Sequence, residues 1–228
     1  MKQTLLKTLA AISLLASAAA QANFQLETMT VIVDESEPRK VFNVKNTSKE
    51  PILLSTKVAN LEGGEVLASD VMVSPPIIRI EPEQSQQINF VLKKGLTLPN
   101  EAILKVSFQG VGATKVNTTK MPIRQDVAML ITPAGMTVSQ TPWEALQVSQ
   151  HGDTLTLKNT GKQVIRLAPN FTAQPGNESY GVGQFYLRPN ESKTVNVKGK
   201  VNTIAISPLS RYGFKTQQEV TLNVKHSI

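Results

Sequence analysis

The segment FNVKNTSKEPI, residues 42–52, decides how the chain is organised, because the segment LTLKNTGKQVI at residues 155–165 resembles it. Each copy reads as a strand, a Lys-Asn-Thr-x-Lys turn and a second strand. Downstream, IEPEQS at residues 80–85 resembles LRPNES at residues 187–192, in the same order and at a similar spacing. A repeat of this length indicates two duplicated domains rather than a stack of short repeats.

The local pattern predicts strands in both copies. Apolar side chains recur at every second residue, or in short β-branched runs, at residues 29–33, 88–92, 104–108 and 220–224. Gly, Pro and Asn punctuate these runs, which is typical of all-β sandwiches and barrels. The best helical candidate, residues 136–147, is interrupted by Pro142.

The length of each copy fits an immunoglobulin-like domain. The turn-rich stretch Pro133-Ala134-Gly135 is the best place for a junction. The sequence therefore predicts an all-β fold with two immunoglobulin-like β-sandwich domains in tandem, an N-terminal domain at residues 23–133 and a C-terminal domain at residues 134–228.

The N-terminal residues 1–22 have the pattern of a cleavable secretory signal. Lys2 and Lys7 lie before or at the start of an apolar run that extends from Leu9 to Ala20, and an Ala-Gln-Ala end follows. A membrane anchor is the alternative, but a span needs about 20 apolar residues. We therefore predict cleavage after Ala22 and an exported protein that is not inserted in a membrane.

The composition offers little for catalysis. The 228 residues include no cysteine, and the only histidines are His151 and His226. The sequence therefore lacks a thiol nucleophile, a paired-histidine metal motif and a cofactor motif. We predict no metal, no cofactor and no enzyme activity. The net charge of +7 is carried by dispersed basic residues, which argues against nucleic-acid binding. An exported hydrolase with His151 as its base remains the enzymatic alternative.

Three further segments carry a resemblance to a known family. SPPIIRIEPEQSQQI (74–88), PNEAILKVSF (99–108) and MPIRQDVAMLITP (121–133) resemble, in this order, the periplasmic pilus chaperones of the chaperone–usher pathway. The resemblance implies a periplasmic protein that binds and caps fimbrial (pilin) subunits and delivers them to an outer-membrane usher. It also implies that an edge strand of the chaperone completes the subunit's fold, the strand-addition mode of recognition.

The resemblance also implies an anchor for the subunit's terminal carboxylate. In the best-known branch a first-strand Arg and a later Lys hold this group, but here Thr30 and Ala128 stand at those positions. The Leu104-Lys105-Val106 triplet is similar to a basic motif of the alternate and archaic branches. This makes Lys105 the leading candidate for the anchor, and Arg124 is the nearest other cation. The alternative for both residues is a solvated cation on a strand face without a role in binding.

The donated strand needs apolar side chains at a period of two. Val116, Met121, Ile123 and Val127 meet this need, with Gln125 interrupting the set. The alternative interpretation is that these four are ordinary core residues of the domain's terminal strand.

A weaker prediction concerns the usher. Pro75, Pro76 and Ile77 form an apolar turn that serves either as the usher contact or as a rigid structural turn. The rival function for the whole chain is a two-domain fimbrial tip or surface adhesin.

Overall fold

The computed structural model describes residues 23–112, 121–216 and 218–226. The predicted signal sequence and its cleavage point after Ala22 lie outside these ranges, as does Val116. The described residues form seventeen strands and two 3₁₀ helices, at Ala68–Asp70 and Pro142–Ala145. The second short helix begins at Pro142, so the helical candidate at 136–147 shrinks to one turn. No helix in the described ranges reaches the length and apolarity that a membrane crossing requires.

The first domain is a sandwich of two sheets. One sheet has the order β1-β3-β7-β5 and the other has the order β2-β9-β8-β4-β6, and all neighbours are antiparallel except β2 and β9. Its strands are β1 (Phe24–Leu26), β2 (Thr30–Asp34), β3 (Arg39–Asn46), β4 (Ile52–Ala59), β5 (Val71–Ser74), β6 (Ile77–Ile80), β7 (Ser85–Leu92), β8 (Ala102–Gly112) and β9 (Ile123–Thr132).

Three phenylalanines lie where the two sheets of the first domain face each other. Phe42 stacks on Phe108 of the opposite sheet with ring centroids 5.4 Å apart, and Phe90 meets both rings edge-on. All three side chains are fully buried. The period-two pattern read from the sequence therefore places alternate side chains of each strand in one shared core.

The second domain is built on a continuous strand path, β13-β12-β16-β17-β10-β11-β15, with β14 paired to β12. The path is continuous because β17 pairs antiparallel with β16 through its first residues and parallel with β10 through its last. Its strands are β10 (Leu146–His151), β11 (Thr154–Asn159), β12 (Ile165–Gln174), β13 (Glu178–Gly181), β14 (Tyr186–Leu187), β15 (Ser192–Asn196), β16 (Thr203–Pro208) and β17 (Val220–His226). A second apolar core fills this domain.

The internal repeat has one structural basis in both domains. The amide nitrogen Nδ2 of Asn46 donates to the carbonyls of Glu50 (2.8 Å) and Ile80 (3.0 Å). Asn159 repeats this with Gln163 (2.9 Å) and Leu187 (3.1 Å). Each buried Asn thus ties its own turn to the downstream repeated segment. The similarity in sequence therefore reflects a shared hydrogen-bond network rather than chance.

A second match supports the duplication. Glu83 and Asn190, the fourth residues of the downstream segments, both have a positive φ, 59° and 62°. Asn tolerates this left-handed conformation better than Glu does.

An apolar contact joins the two domains. Ile103 and Leu130 of the first domain pack with Val164 of the second, and all three are buried. Ile32 and Tyr186 border this contact. The chain passes between the domains near the turn at 133–135; the domain boundary placed there stays a prediction.

A buried carboxylate reinforces the contact. Glu101, whose side chain is 0% exposed, receives hydrogen bonds from the Val164 N–H (2.9 Å), the Thr132 hydroxyl (3.3 Å) and the Arg211 guanidinium. The Glu101 N–H donates to the Lys162 carbonyl (2.9 Å). Burial raises the pKa of the Glu101 carboxyl, while Arg211 and the Val164 N–H oppose the rise. Since Glu101 and Thr132 belong to one domain and the other partners to the second, this network fixes the domains relative to each other.

Candidate functional site

The site lies on the face of the β2-β9-β8-β4-β6 sheet that does not face the first domain's core. Val31 and Met129 point inward and are fully buried in that core. Their neighbours Thr30 and Ala128 point to the other face and are register partners, and Ala128 is in turn the partner of Lys105 on β8. The row Thr30–Ala128–Lys105 therefore crosses three adjacent strands, and we call it the cleft row because its Thr30 end meets the second domain.

Lys105 and Arg124 share one carboxylate of the protein itself. Arg124 binds Asp126 through two hydrogen bonds of 2.8 and 3.0 Å and also donates to the Ser107 hydroxyl (3.0 Å). The Lys105 Nζ lies 3.9 Å from Asp126 Oδ2, an ion-pair distance without a hydrogen bond. The Arg124 guanidinium lowers the pKa of Asp126. Arg124 thus donates three hydrogen bonds, whereas Lys105 donates none from its ammonium group to any residue that the structure describes.

A cation that the sequence did not single out completes the cleft row from the second domain. The Arg166 Nη1 donates to the Thr30 hydroxyl (3.0 Å) and to the Arg211 carbonyl (3.2 Å). A Cβ placed on Gly213 would lie 3.1 Å from the Arg166 Nη2, so this turn packs against the guanidinium. Burial lowers the pKa of Arg166, and the nearby Glu101 carboxylate opposes the shift.

The strand β9 is paired on one side along most of its length and on the other side along half of it. It pairs with β8 from Ile123 to Ile131, but with β2 only from Ala128 onward. Among the described residues, 123–127 therefore have no strand on their second edge. The Gln125 side chain donates a hydrogen bond to the Phe24 carbonyl there (3.1 Å).

The four apolar residues predicted to be donated differ in their surroundings. Met121 is 86% exposed, and Ile123 is half-buried at the margin of the first domain's core. Val127 is buried inside that core, so its side chain is already occupied within its own domain. Val116 falls outside the described residues.

The predicted usher segment links the two sheets of the first domain. Pro75 and Pro76 join β5 to β6, and the Pro76 carbonyl accepts a hydrogen bond from the Thr56 N–H (2.8 Å). Ile77 is 58% exposed, and the exposed Leu53 lies on the same face of the adjoining strand. The segment is thus at once a structural turn and part of an exposed apolar surface.

The tandem of immunoglobulin-like domains thus has an open strand edge beside two cations, and an open edge is what strand addition to a partner requires. Residues 23–137 match the family model for the N-terminal domain of PapD-type pili and flagellar-assembly chaperones. The chain belongs to this family of chaperones.

Its relatives agree with this assignment. The chain is 30% identical over 199 residues to the uncharacterized fimbrial chaperone YhcA of Escherichia coli strain K12, covering 86% of this chain and 88% of the relative. Its fold is similar to a chain in the complex of the Salmonella enterica SafA pilin with the SafB chaperone, with a TM-score of 0.74, 19% identity and coverage of 90% and 98% of the two chains. The Pseudomonas aeruginosa CupB2 chaperone gives a TM-score of 0.72 at 16% identity, with 88% and 100% covered.

Proposed function

We propose that this protein is a periplasmic chaperone that binds and caps a fimbrial subunit and then delivers it to an outer-membrane usher. The observation that carries the proposal is the open edge of β9 at residues 123–127, which lies next to the cleft row. Fimbrial chaperones of this family are periplasmic, and the predicted cleavage after Ala22 accords with that location. The protein acts by binding, without a cofactor.

The open edge supplies the backbone groups and the side chains that strand addition needs. Its unpaired N–H and C=O groups pair with a subunit that lacks a strand, and alternate side chains enter the subunit's groove. Met121 and Ile123 are the described residues free to do this. Val127, being buried, supports the strand from within the chaperone's own domain.

The anchor for the subunit's terminal carboxylate is Lys105. It is 36% exposed, it lies in the cleft row, and its ammonium group makes no hydrogen bond within the described ranges. Arg124 lies four residues from Ala128 along β9, about 13 Å away at the rise of a strand. Its bidentate pairing with Asp126 makes it a support for the site rather than a second anchor. Because Thr30 and Ala128 stand at the positions of the best-known branch's cations, we propose that the chain lies nearer the alternate and archaic branches.

Co-expression with a cognate fimbrial subunit tests the function. The expected result is a subunit that is soluble and protease-resistant in periplasmic extracts only when this protein is present, because its open groove is covered. Equal recovery of the subunit without this protein would contradict the proposal. Assembly of the isolated protein into fibres would instead support the adhesin alternative, and substrate turnover lost on His151→Ala would support the hydrolase.

The usher contact is placed on the surface formed by Pro75, Pro76 and Ile77. Burying an isoleucine contributes about 1.5–3 kcal/mol, and 1.4 kcal/mol is a factor of ten in affinity. Ile77→Asp is therefore expected to weaken capture by the usher's N-terminal domain by at least about tenfold in a pull-down of the chaperone–subunit complex. Val66→Asp, at a site 77% exposed, is the control and should not change capture. Unchanged capture by Ile77→Asp would remove this surface from the usher contact.

A further inference from the structure

Arg166 is a partly buried cation that has no counterion in the part of the chain that the structure describes. Across residues 23–112, 121–216 and 218–226 it forms no ion pair, and its two hydrogen bonds, to Thr30 and the Arg211 carbonyl, are both made by Nη1. Its Nε is buried and has no hydrogen-bond partner among those described residues. The nearby acid, Glu101, is already bound to Arg211. Burying a charge without a partner costs free energy, so an anion that reaches this guanidinium is stabilised.

The position of Arg166 is fixed by both domains. Thr30 holds it from the first domain, and the Arg211 carbonyl holds it from the second. A guanidinium that is held in place loses little conformational entropy when it binds a carboxylate, and its Nη2, which makes no hydrogen bond to a described residue, can donate to a carboxylate oxygen.

The cleft row sets the distance between the two cations. Thr30 and Lys105 are separated by one strand, which places their backbones about 10 Å apart. Ala128 lies between them, where its methyl group is the smallest side chain of the row and packs at the edge of the apolar contact between the domains. Two long side chains that approach from either side can meet a single carboxylate above this alanine.

We propose that Arg166 is the second cation of the subunit's carboxylate site, so that the carboxylate lies above Ala128 between Lys105 and Arg166. This assignment rests on the proposed chaperone function and adds the second domain to the anchor. The carboxylate then contacts both domains at once. Its position is therefore set by the same interdomain arrangement that Glu101 fixes.

The test uses the fimbrial subunit that the wild-type protein keeps soluble in the co-expression experiment. Peptides of that subunit's C-terminal segment, one with a free carboxylate and one amidated, are titrated against the wild type, Arg166→Gln and Arg39→Gln. Because hydrogen bonds between charged groups are strong, Arg166→Gln should weaken the free-carboxylate peptide by about tenfold or more. For the amidated peptide, Arg166→Gln and wild type should agree within about twofold, since the contact is absent from both. Arg39→Gln, at an exposed arginine on the opposite sheet of the first domain, is the matched control and should bind both peptides as the wild type does.

The two peptides separate an anchor from a structural residue. If Arg166 only supports the fold, Arg166→Gln weakens both peptides equally, and the proposal is overturned. Wild-type affinity of Arg166→Gln for the free-carboxylate peptide also overturns it. If the wild type keeps no subunit soluble, the proposed function itself has failed, whereas equal affinity of the wild type for the two peptides overturns only the carboxylate site. Retention of binding by Arg166→Lys beyond that of Arg166→Gln supports a charge contact at this position.

Discussion

Lys105→Ala is expected to leave the protein folded and to abolish recovery of the subunit–chaperone complex. Lys105 lies on a strand whose partners on both sides hold it in register, so the truncation removes a surface group and not a core contact. A strand-addition complex can slip by two residues and keep the same faces matched. A cation that meets the terminal carboxylate fixes the register, because that contact forms in one alignment only.

The size of the loss follows from the type of contact. A hydrogen bond to a charged group contributes about 1.5–3 kcal/mol, which lowers affinity by about tenfold or more when it is lost. The measurement is recovery of the complex from periplasmic extracts, with circular dichroism to confirm that the variant folds. Lys158→Ala, which removes an exposed lysine from a strand of the second domain, is the control and should give wild-type recovery. Normal recovery with Lys105→Ala would exclude this residue from the anchor.

The sequence was sufficient for the fold because the fold depends on local and repeated signals. The Lys-Asn-Thr turn places Asn46 and Asn159 in the same hydrogen-bond network, so the similarity of the two segments reports a shared structure. Alternation of apolar and polar residues predicts which face of a strand is buried, wherever only one face is buried. Alternation does not say which sheet or domain a face meets. Val127 fits the donor pattern and the core pattern equally, and the structure puts its side chain in the core.

The cleft could not be predicted to the same extent, because it depends on how two domains dock. Arg166 directly follows the second copy of the repeat, at the position where the first copy has Leu53. Nothing in the local pattern distinguishes a solvated arginine there from one that reaches Thr30 of the other domain. Glu101 is a similar case. A carboxylate after a Pro-Asn turn suggests an exposed group, yet docking buries it completely.

The second large effect is expected at this buried carboxylate. Glu101→Gln should lower the free energy of unfolding by about 3–5 kcal/mol, the usual cost of removing one partner of a buried ion pair. The glutamine has a similar shape, but it leaves the Arg211 guanidinium without a counterion between the domains. Denaturant unfolding measures the loss. Because the network joins the domains, we also expect their transitions to separate and cleavage near residues 133–135 to become faster.

A comparison with an exposed ion pair shows whether burial causes the large loss of stability expected for Glu101→Gln. Lys45→Ala breaks the Lys45–Glu83 pair, which is 3.6 Å long and about half exposed on each side, and should cost less than about 1 kcal/mol. The double variant Glu101→Gln/Arg211→Met should be less destabilised than the sum of its single changes, since it removes the uncompensated charge together with its partner. Additive losses in the double variant, or a loss for Glu101→Gln no larger than for Lys45→Ala, would contradict the role of Glu101 as the clamp. In that case the apolar contact of Ile103, Leu130 and Val164 would be the main link between the domains. The cleft that holds Lys105 and Arg166 would then keep its geometry without the Glu101–Arg211 ion pair.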